Sequence, residues 1–166
     1  MTLKVSKNKS FLVLLLCVSI MACDSKRVYD SYAPIPNAYW ELSNKIPFSF
    51  YAKDTITRNN LFINIRNNSK YSFSNLFLIT ELEFPSGKKI VDTLEYEMTD
   101  HLGRFLGKGF TEIKESKLSY KENVVFPTSG NYTVRISQAM RKNNVIEGVQ
   151  SLKGVMDVGF RIEKKN

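Results

Sequence analysis

An alternation of apolar and polar side chains is the feature that most constrains the fold of this chain. In the segment LFLITELEF, the residues on one face of an extended strand are apolar: Leu76, Leu78, Leu82 and Phe84. Glu81 and Glu83 lie on the other face. The turn sequence PSGK follows at 85–88, and residues 90–98 return with the same period. This pattern predicts an antiparallel hairpin with one buried and one solvated face.

The same period of two recurs along the rest of the chain. It predicts strands at residues 46–52, 61–66, 117–120, 124–126, 132–136 and 155–162. Tyr132 lies where many sandwiches have a tyrosine that bonds back to the backbone at a corner. Because no helical pattern exceeds two turns, we expect an all-β domain over residues 45–166. Its predicted architecture is an antiparallel β-sandwich, either immunoglobulin-like or jelly-roll.

Residues 1–22 have the parts of a secretory signal peptide. Lys4, Lys7 and Lys9 precede an apolar run at 11–20, and small residues follow that run. The run is about half as long as the roughly 20 residues that a helix needs to span a bilayer. We therefore expect this segment to be removed on export.

The only cysteines, Cys17 and Cys23, lie in or beside this segment. The sequence Ile20-Met21-Ala22-Cys23 resembles the lipobox of bacterial lipoproteins. The resemblance implies cleavage between Ala22 and Cys23, and lipidation of the Cys23 thiolate, which is a strong nucleophile. Cys17 would leave with the signal peptide. The mature chain would then carry no free thiol, and acyl chains such as palmitate would anchor it in a membrane.

Residues 23–44 are polar and aromatic and follow neither period. We expect a lipidated N-terminus and an extended tether, of which only Tyr39 and Trp40 pack onto the domain. Removal of the three signal lysines lowers the formal net charge from +8 to +5. Acids and bases are interspersed, which is typical of a soluble surface with some attraction to anionic lipid or lipopolysaccharide.

The mature sequence offers little material for catalysis. His101 is its only histidine, no thiol remains after lipidation, and no serine lies in a G-x-S-x-G elbow. The loop at 102–109 is not a phosphate-binding loop. Only three residues separate its first glycine from Gly107-Lys108, and Gly109 occupies the position of the required hydroxyl. We expect a protein that is not an enzyme, with no metal, no cofactor except its lipid, and no nucleotide or nucleic-acid partner.

The same loop has two interpretations. Its glycines are typical of a tight turn, whereas its aromatic and cationic side chains are of the types that anchor protein interfaces. A tryptophan and the basic segment at 138–142 would extend such an interface. The candidate partner-binding residues are Trp40, Arg104, Phe105, Lys108, Phe110 and Arg141.

A series of short motifs gives the chain a family resemblance. They are YW at 39–40, IRNN at 65–68, NLFL at 75–78, DTLE at 92–95, the glycine loop at 103–109, TEI at 111–113, GNY at 130–132, QAMR at 138–141 and DVGFRI at 157–162. In order and spacing, this series resembles the gliding-motility lipoprotein family GldH of Bacteroidetes. The resemblance covers residues 40–164.

The resemblance implies an envelope lipoprotein needed for gliding motility and for the associated type IX secretion machinery, in a family with no known enzymatic activity. It implies that the partners are other envelope lipoproteins or components of that machinery. The expected location is the outer membrane, with the domain facing the periplasm. The alternative is a surface-displayed lipoprotein that binds glycans, because β-sandwiches with exposed tryptophan and tyrosine often stack sugars.

One further motif fits an exported protein of these bacteria. The sequence Asp54-Thr55-Ile56 resembles the Asp-Ser/Thr-aliphatic sites at which Bacteroidetes O-glycosylate exported proteins. Thr55 lies next to a predicted turn, where a glycan can be accommodated. It is therefore a candidate O-glycosylation site.

Overall fold

The computed structural model describes residues 24–109, 112–142 and 144–165. Its strands are β1 (Arg27–Pro34), β2 (Tyr39–Glu41), β3 (Ile46–Ala52), β4 (Asn59–Asn67), β5 (Asn75–Glu83), β6 (Lys89–Glu97), β7 (Lys114–Val124), β8 (Gly130–Gln138), β9 (Ser151–Lys153) and β10 (Val155–Lys164). A single 3₁₀ turn, Pro36–Ala38, separates β1 from β2. Within these residues, no helix has the length and apolar character needed to cross a membrane.

Eight of the strands form two antiparallel sheets. The first has the order β1-β10-β4-β7 and the second β3-β8-β5-β6, while β2 and β9 form a small separate ribbon. The pairs β1–β10, β3–β8, β4–β7 and β5–β6 are all hydrogen-bonded neighbours, as in one long hairpin rolled into two layers. This is the arrangement of a jelly roll. The predicted all-β sandwich is confirmed, and the strand order selects the jelly-roll type.

The core lies between the two sheets and follows the predicted alternation. Strands β3 and β5 bury every second residue, because successive side chains of a strand point to opposite faces. One end of the core is aromatic: the Phe50 ring stacks on Tyr132 at a centroid distance of 5.7 Å, and Phe126 lies 5.0 Å from Tyr132. The Tyr132 hydroxyl donates a 2.9 Å hydrogen bond to the backbone oxygen of Thr128, which is the predicted corner bond.

The segment expected to be a tether belongs to the sandwich. Residues 27–34 form β1, which pairs with β10 from Arg27 opposite Glu163 to Pro34 opposite Asp157. The strand lacks a clean alternation because it lies at a sheet edge, where most of its side chains are half-buried. The tether prediction is therefore corrected: the folded part begins at Arg27 and not at residue 45.

Strand β7 also differs from its prediction. The strand expected at 117–120 is longer and runs from Lys114 to Val124, whereas of the strand expected at 124–126 only Val124 belongs to it. Two register shifts against β4 and the positive φ of Asn123 (58°) interrupt its alternation. A period-two pattern breaks at such irregularities even though the strand continues.

Because the strands are antiparallel, the connections between them lie at two opposite ends of the sandwich. We call one the N-terminal end: it holds residues 24–26, the connections 53–58, 84–88 and 125–129, and residue 165 after β10. We call the other the distal end: it holds the β2–β9 ribbon and the connections 68–74, 98–113 and 139–150. A nine-residue strand such as β5 separates the two ends by about 30 Å.

Candidate partner-binding surface

The described candidate residues all lie at the distal end of the sandwich. Arg104, Phe105 and Lys108 belong to the connection at 98–113, Arg141 to the connection at 139–150, and Trp40 to β2. Phe110 lies outside the described residues. Residues far apart in sequence are thus brought to one end of the fold, although they do not form one continuous surface.

Trp40 is a core residue and not a contact residue. Its side chain is fully buried, it pairs across the ribbon with the equally buried Leu152, and its indole Nε1 donates a 2.9 Å hydrogen bond to the backbone oxygen of Asn44. A buried indole of this kind closes the distal end of the core. The assignment of Trp40 to the partner-binding surface is therefore corrected.

The glycine loop is a turn organised by one carboxylate. Asp100 Oδ1 accepts hydrogen bonds from the backbone nitrogens of Leu102 and Arg104, both at 2.9 Å, and Oδ2 accepts one from Arg104 Nε at 2.7 Å. These bonds from the Arg104 backbone and side chain hold the pKa of Asp100 below its usual value. Gly103 has a φ of +77°, which favours glycine.

The aromatic residue of this loop faces inward. Phe105 is half-buried and its ring lies 6.4 Å from the ring of Tyr71, so it fastens the turn to the core. Arg104 and Lys108 remain exposed. Of the two interpretations of the loop, the tight turn describes Gly103 and Phe105. The two cations remain accessible to a partner, together with Leu102 and Leu106, which are 66% and 54% exposed.

A groove lies beside the loop, between the connections 68–74 and 139–150. It consists of two adjoining depressions of about 470 Å³ each, which share Ser72, Phe73 and Lys142. We call it the distal groove. Its apolar lining comprises Phe73, Phe77, Val145 and Val149, and its cations are Arg141, Lys142 and Lys153. Serines, amides and the acid Glu147 also line it. Apolar side chains mixed with cations and hydrogen-bonding groups are typical of surfaces that bind proteins.

One buried side chain supports the wall of this groove. Gln138 is 1% exposed, its Nε2 donates a 2.6 Å hydrogen bond to the backbone oxygen of Val149, and its Oε1 accepts one from the Met140 nitrogen at 2.8 Å. The Val149 nitrogen in turn bonds to the Met140 oxygen at 2.8 Å. Because both branches of the connection are tied to Gln138, Arg141 is presented from a fixed backbone.

The sequence predicted part of this groove. Arg141 was a candidate and Lys142 lies in the basic segment at 138–142, but Phe73 and Val145 were not predicted to contribute. The signal at Phe73 was present: in YSFSN, two aromatic residues alternate with serines outside any strong strand pattern. Tyr71 is buried and Phe73 half-buried, with their rings 6.0 Å apart.

The paired carboxylates of the sheets are held in ion pairs. Arg135 contacts Glu83 at 2.6 Å and Glu81 at 3.1 Å, and Lys89 also contacts Glu81 at 3.1 Å. Hydrogen bonds from these cations keep the pKa of both carboxyl groups low. His101 is exposed on the Asp100 turn. In the part of the chain that the structure describes, no group of His, Cys, Asp and Glu side chains is arranged to hold a metal ion.

The predicted modification sites belong to the opposite end. Ala22 and Cys23 lie outside the described residues, and Asp24 is the first described residue after them. Thr55 is half-buried in the connection 53–58, where Asp54 accepts bonds from the backbone nitrogens of Ile56 and Thr57 at 2.8 and 2.9 Å. Bonds from the Thr57 hydroxyl and from these two nitrogens lower the pKa of Asp54 to about 2.

Comparison with solved structures gives only distant likenesses. A carbohydrate-binding module specific for non-crystalline cellulose aligns with a TM-score of 0.45 and 9% identity, over 82% of this chain and 73% of the module. The VP2 subviral particle of infectious bursal disease virus aligns with a TM-score of 0.44 and 15% identity, over 84% of this chain and 33% of that one. At such identities these likenesses carry no functional information.

Comparison at the sequence level is specific. The family model described as GldH lipoprotein matches residues 27–162. The chain is 52% identical to a gliding motility lipoprotein GldH homolog of Christiangramia forsetii over 94% of this chain and 95% of that protein. It is 47% identical to the gliding motility lipoprotein GldH of Flavobacterium johnsoniae over 96% and 98% of the two chains. The chain therefore belongs to the GldH lipoprotein family.

Proposed function

We propose that this protein is a membrane-anchored lipoprotein of the cell envelope that acts without catalysis, as a component needed for gliding motility and for the associated type IX secretion machinery. The observation that carries the proposal is the family match over the whole folded domain. The relatives named for gliding motility support it at 47–52% identity. The proposed location is the outer membrane, with the domain facing the periplasm and the lipid on Cys23.

The distal groove is the surface through which the protein would bind another envelope component. Its side chains Phe73 and Phe77 offer apolar area to bury, and the exposed Arg141 and Lys142 offer hydrogen bonds and charge. Since a few anchor residues carry most of the energy of an interface, changes at this groove should act strongly. The other candidate cations, Arg104 and Lys108, lie at the same end and would contribute at the rim.

The variant Arg141→Glu/Lys142→Glu tests this role. Both side chains are exposed, so the fold should be unchanged while recovery of crosslinked envelope proteins falls by about tenfold or more. Colony spreading and secretion of a type IX cargo protein should fall with it. The control is Lys88→Glu at the opposite end of the sandwich, an exposed lysine with no salt bridge among the described residues, compared with the single variant Lys142→Glu. Normal partner recovery, spreading and secretion in the Arg141 variant, at normal abundance, would remove the distal groove from the proposal.

The anchor and the location have their own test. Cys23→Ala should move the mature domain from the membrane fraction to the soluble fraction, because the acyl chains on Cys23 are its proposed membrane attachment. Protease added to intact cells should leave the wild-type protein uncut if the domain faces the periplasm. Degradation in intact cells would contradict the periplasmic orientation.

The glycan-binding alternative loses its main support. Trp40, the residue expected to stack a sugar, is fully buried. Among the described aromatic side chains only Tyr39 and Tyr51 are well exposed, at 40% and 64%. They lie at opposite ends of the sandwich, so they do not form an aromatic platform together.

A further inference from the structure

The N-terminal end of the sandwich carries a cluster of cations that form no salt bridge among the described residues, although Lys165 donates a hydrogen bond to Asn123 Oδ1. Backbone hydrogen bonds of 2.8 Å from Lys164 to Lys26 and from Lys165 to Arg58 join three segments of the chain there. Six exposed cations follow these segments, and none forms a salt bridge within the described residues: Lys26, Arg27, Lys53, Arg58, Lys164 and Lys165. We call them the basic cluster.

The acids at this end offset the basic cluster only in part, through the attraction of Asp24 for Arg27 and of Asp54 for Lys164. Asp24 is bonded to Arg161, which also holds Asp30 at 2.6 Å. The Asp54 carboxylate accepts hydrogen bonds from the backbone and side chain of the turn at 54–57. Glu163, opposite Arg27, is held by Lys117 at 2.7 Å and Arg161 at 2.6 Å. Glu122 accepts a hydrogen bond from Ser119 at 3.3 Å. An excess of positive charge is therefore left facing outward.

Exposed apolar side chains lie among these cations. Ile56 is 85% exposed, Tyr51 64% and Val28 50%. Val28 and Tyr51 border a small cavity of about 160 Å³ together with Lys53 and Lys164. Aliphatic and aromatic side chains interleaved with lysine and arginine are the composition of surfaces that rest at a membrane interface.

The start of the domain is fixed close to the predicted lipid. Asp24 is bonded covalently to Cys23, and its side chain is held by Arg161 on β10. The Arg27 nitrogen also donates a 3.2 Å hydrogen bond to the Asp24 oxygen. Because consecutive Cα atoms are about 3.8 Å apart, no long linker separates the lipidated residue from the basic cluster. Acyl chains on Cys23 must therefore enter the bilayer beside this surface.

We propose that the N-terminal end of the sandwich lies on the bilayer that receives the anchor, with the basic cluster against anionic headgroups and Ile56 and Tyr51 at the interface. This inference rests on the lipid anchor of the proposed function. Stable membrane binding usually needs two attachments, and here the acyl chains are one and the basic surface is the other. The distal groove then lies about 30 Å from the membrane surface. Since salt screens electrostatic interactions over about 8 Å, the charge of the headgroups does not reach the groove.

A pair of matched positions tests this orientation. Ile56 at the N-terminal end and Ile146 at the distal end are 85% and 86% exposed. The acylated protein carrying Ile56→Cys or Ile146→Cys would be placed in vesicles of phosphatidylethanolamine and phosphatidylglycerol and labelled with an environment-sensitive fluorophore. Cys23 is blocked by its lipid, so the introduced cysteine is the only reactive thiol. Brominated phospholipid should quench the label at 56 several-fold more than the label at 146.

Flotation with the vesicles separates the two ways in which the inference can fail. A protein that does not float contradicts the lipid anchor and the orientation together. A protein that floats with equal quenching at both positions contradicts the orientation alone. The variant Lys53→Glu/Arg58→Glu should reduce quenching at 56 without preventing flotation, whereas Arg141→Glu/Lys142→Glu should leave it unchanged. Equal effects of the two variants would overturn the role of the basic cluster.

Discussion

Gly154 shows how one residue fixes the connection between β9 and β10. Its φ is +88°, and a Cβ placed on it would lie 2.2 Å from the backbone nitrogen of Tyr71. Its nitrogen and oxygen bond to Ala38 and Asn68 at 2.8 and 2.9 Å. Only glycine fits at this position. The hydrogen bonds of Gly154 join the β9–β10 connection to the segments that contain Ala38 and Asn68.

Gly154→Ala should lower the free energy of unfolding by about 3 kcal/mol or more, because it adds a steric clash to the cost of positive φ. Gly87→Ala is the matched control. Gly87 has a φ of +82° but nothing within 4 Å of its Cβ position, so only the conformational cost of about 1 kcal/mol applies. Urea unfolding of the domain measures both. Equal losses in the two variants would show that the close approach to Tyr71 is not rigid.

At the scale of elements, one carboxylate links three strands of the first sheet. Glu115 on β7 accepts hydrogen bonds from Arg66 Nε on β4 at 2.7 Å and from the Tyr32 hydroxyl on β1 at 2.8 Å. Burial acts to raise the pKa of Glu115, but the bonds from Arg66 and Tyr32 outweigh it and lower the pKa below 4.5. Burial and the same carboxylate raise the pKa of Tyr32 to about 12.

This network predicts a pH dependence of stability. Because folding lowers the pKa of Glu115, its contribution is fully present above the unfolded value of 4.5 and is lost as the pH falls through the folded value. Glu115→Gln should therefore flatten the loss of stability that occurs as the pH falls below 4.5. Urea midpoints at several pH values measure it. Glu97→Gln, an exposed carboxylate outside the network, is the control, and an identical slope in both variants would contradict the assignment.

Strands were predicted best from the sequence where the two faces of a strand differ in burial. In the β5–β6 hairpin, β5 alternates buried with mostly half-buried residues and β6 alternates half-buried with exposed residues, so its period was visible. Strand β1 was missed because a half-buried edge has no clear period. In β10 a bulge between Val155 and Asp157 buries Val155 and leaves Met156 half-buried, against the alternation expected there. Local irregularities set by pairing are not encoded in the period itself.

The candidate site shows the same limit. Arg141 is recognisable as an exposed cation in a loop, and the structure places it at the distal groove. Trp40 and Phe105 have the residue types of interface anchors, yet their side chains face the core. Composition gives the type of a side chain but not its direction, and the same aromatic residues stabilise cores and interfaces. The groove itself depends on connections that meet only in the folded chain.

At the scale of the whole molecule, the two ends of the sandwich have different chemistry. The N-terminal end combines the predicted lipid with the basic cluster, and the distal end combines an apolar groove with Arg141 and Lys142. The jelly-roll order is what separates them, because every connection returns to one end or the other. A domain built in this way would hold a binding surface at a fixed distance from the membrane.

Site-specific photocrosslinking in living cells tests this division most directly. A benzophenone amino acid would replace Val145 in the distal groove, Ile56 beside the basic cluster, or Val91 on the outer face of β6. These residues are 42%, 85% and 61% exposed, respectively. We expect discrete protein adducts from position 145, lipid adducts without protein from position 56, and neither from position 91. Protein adducts from position 56 and none from position 145 would contradict the account, because the binding surface would then lie at the membrane end.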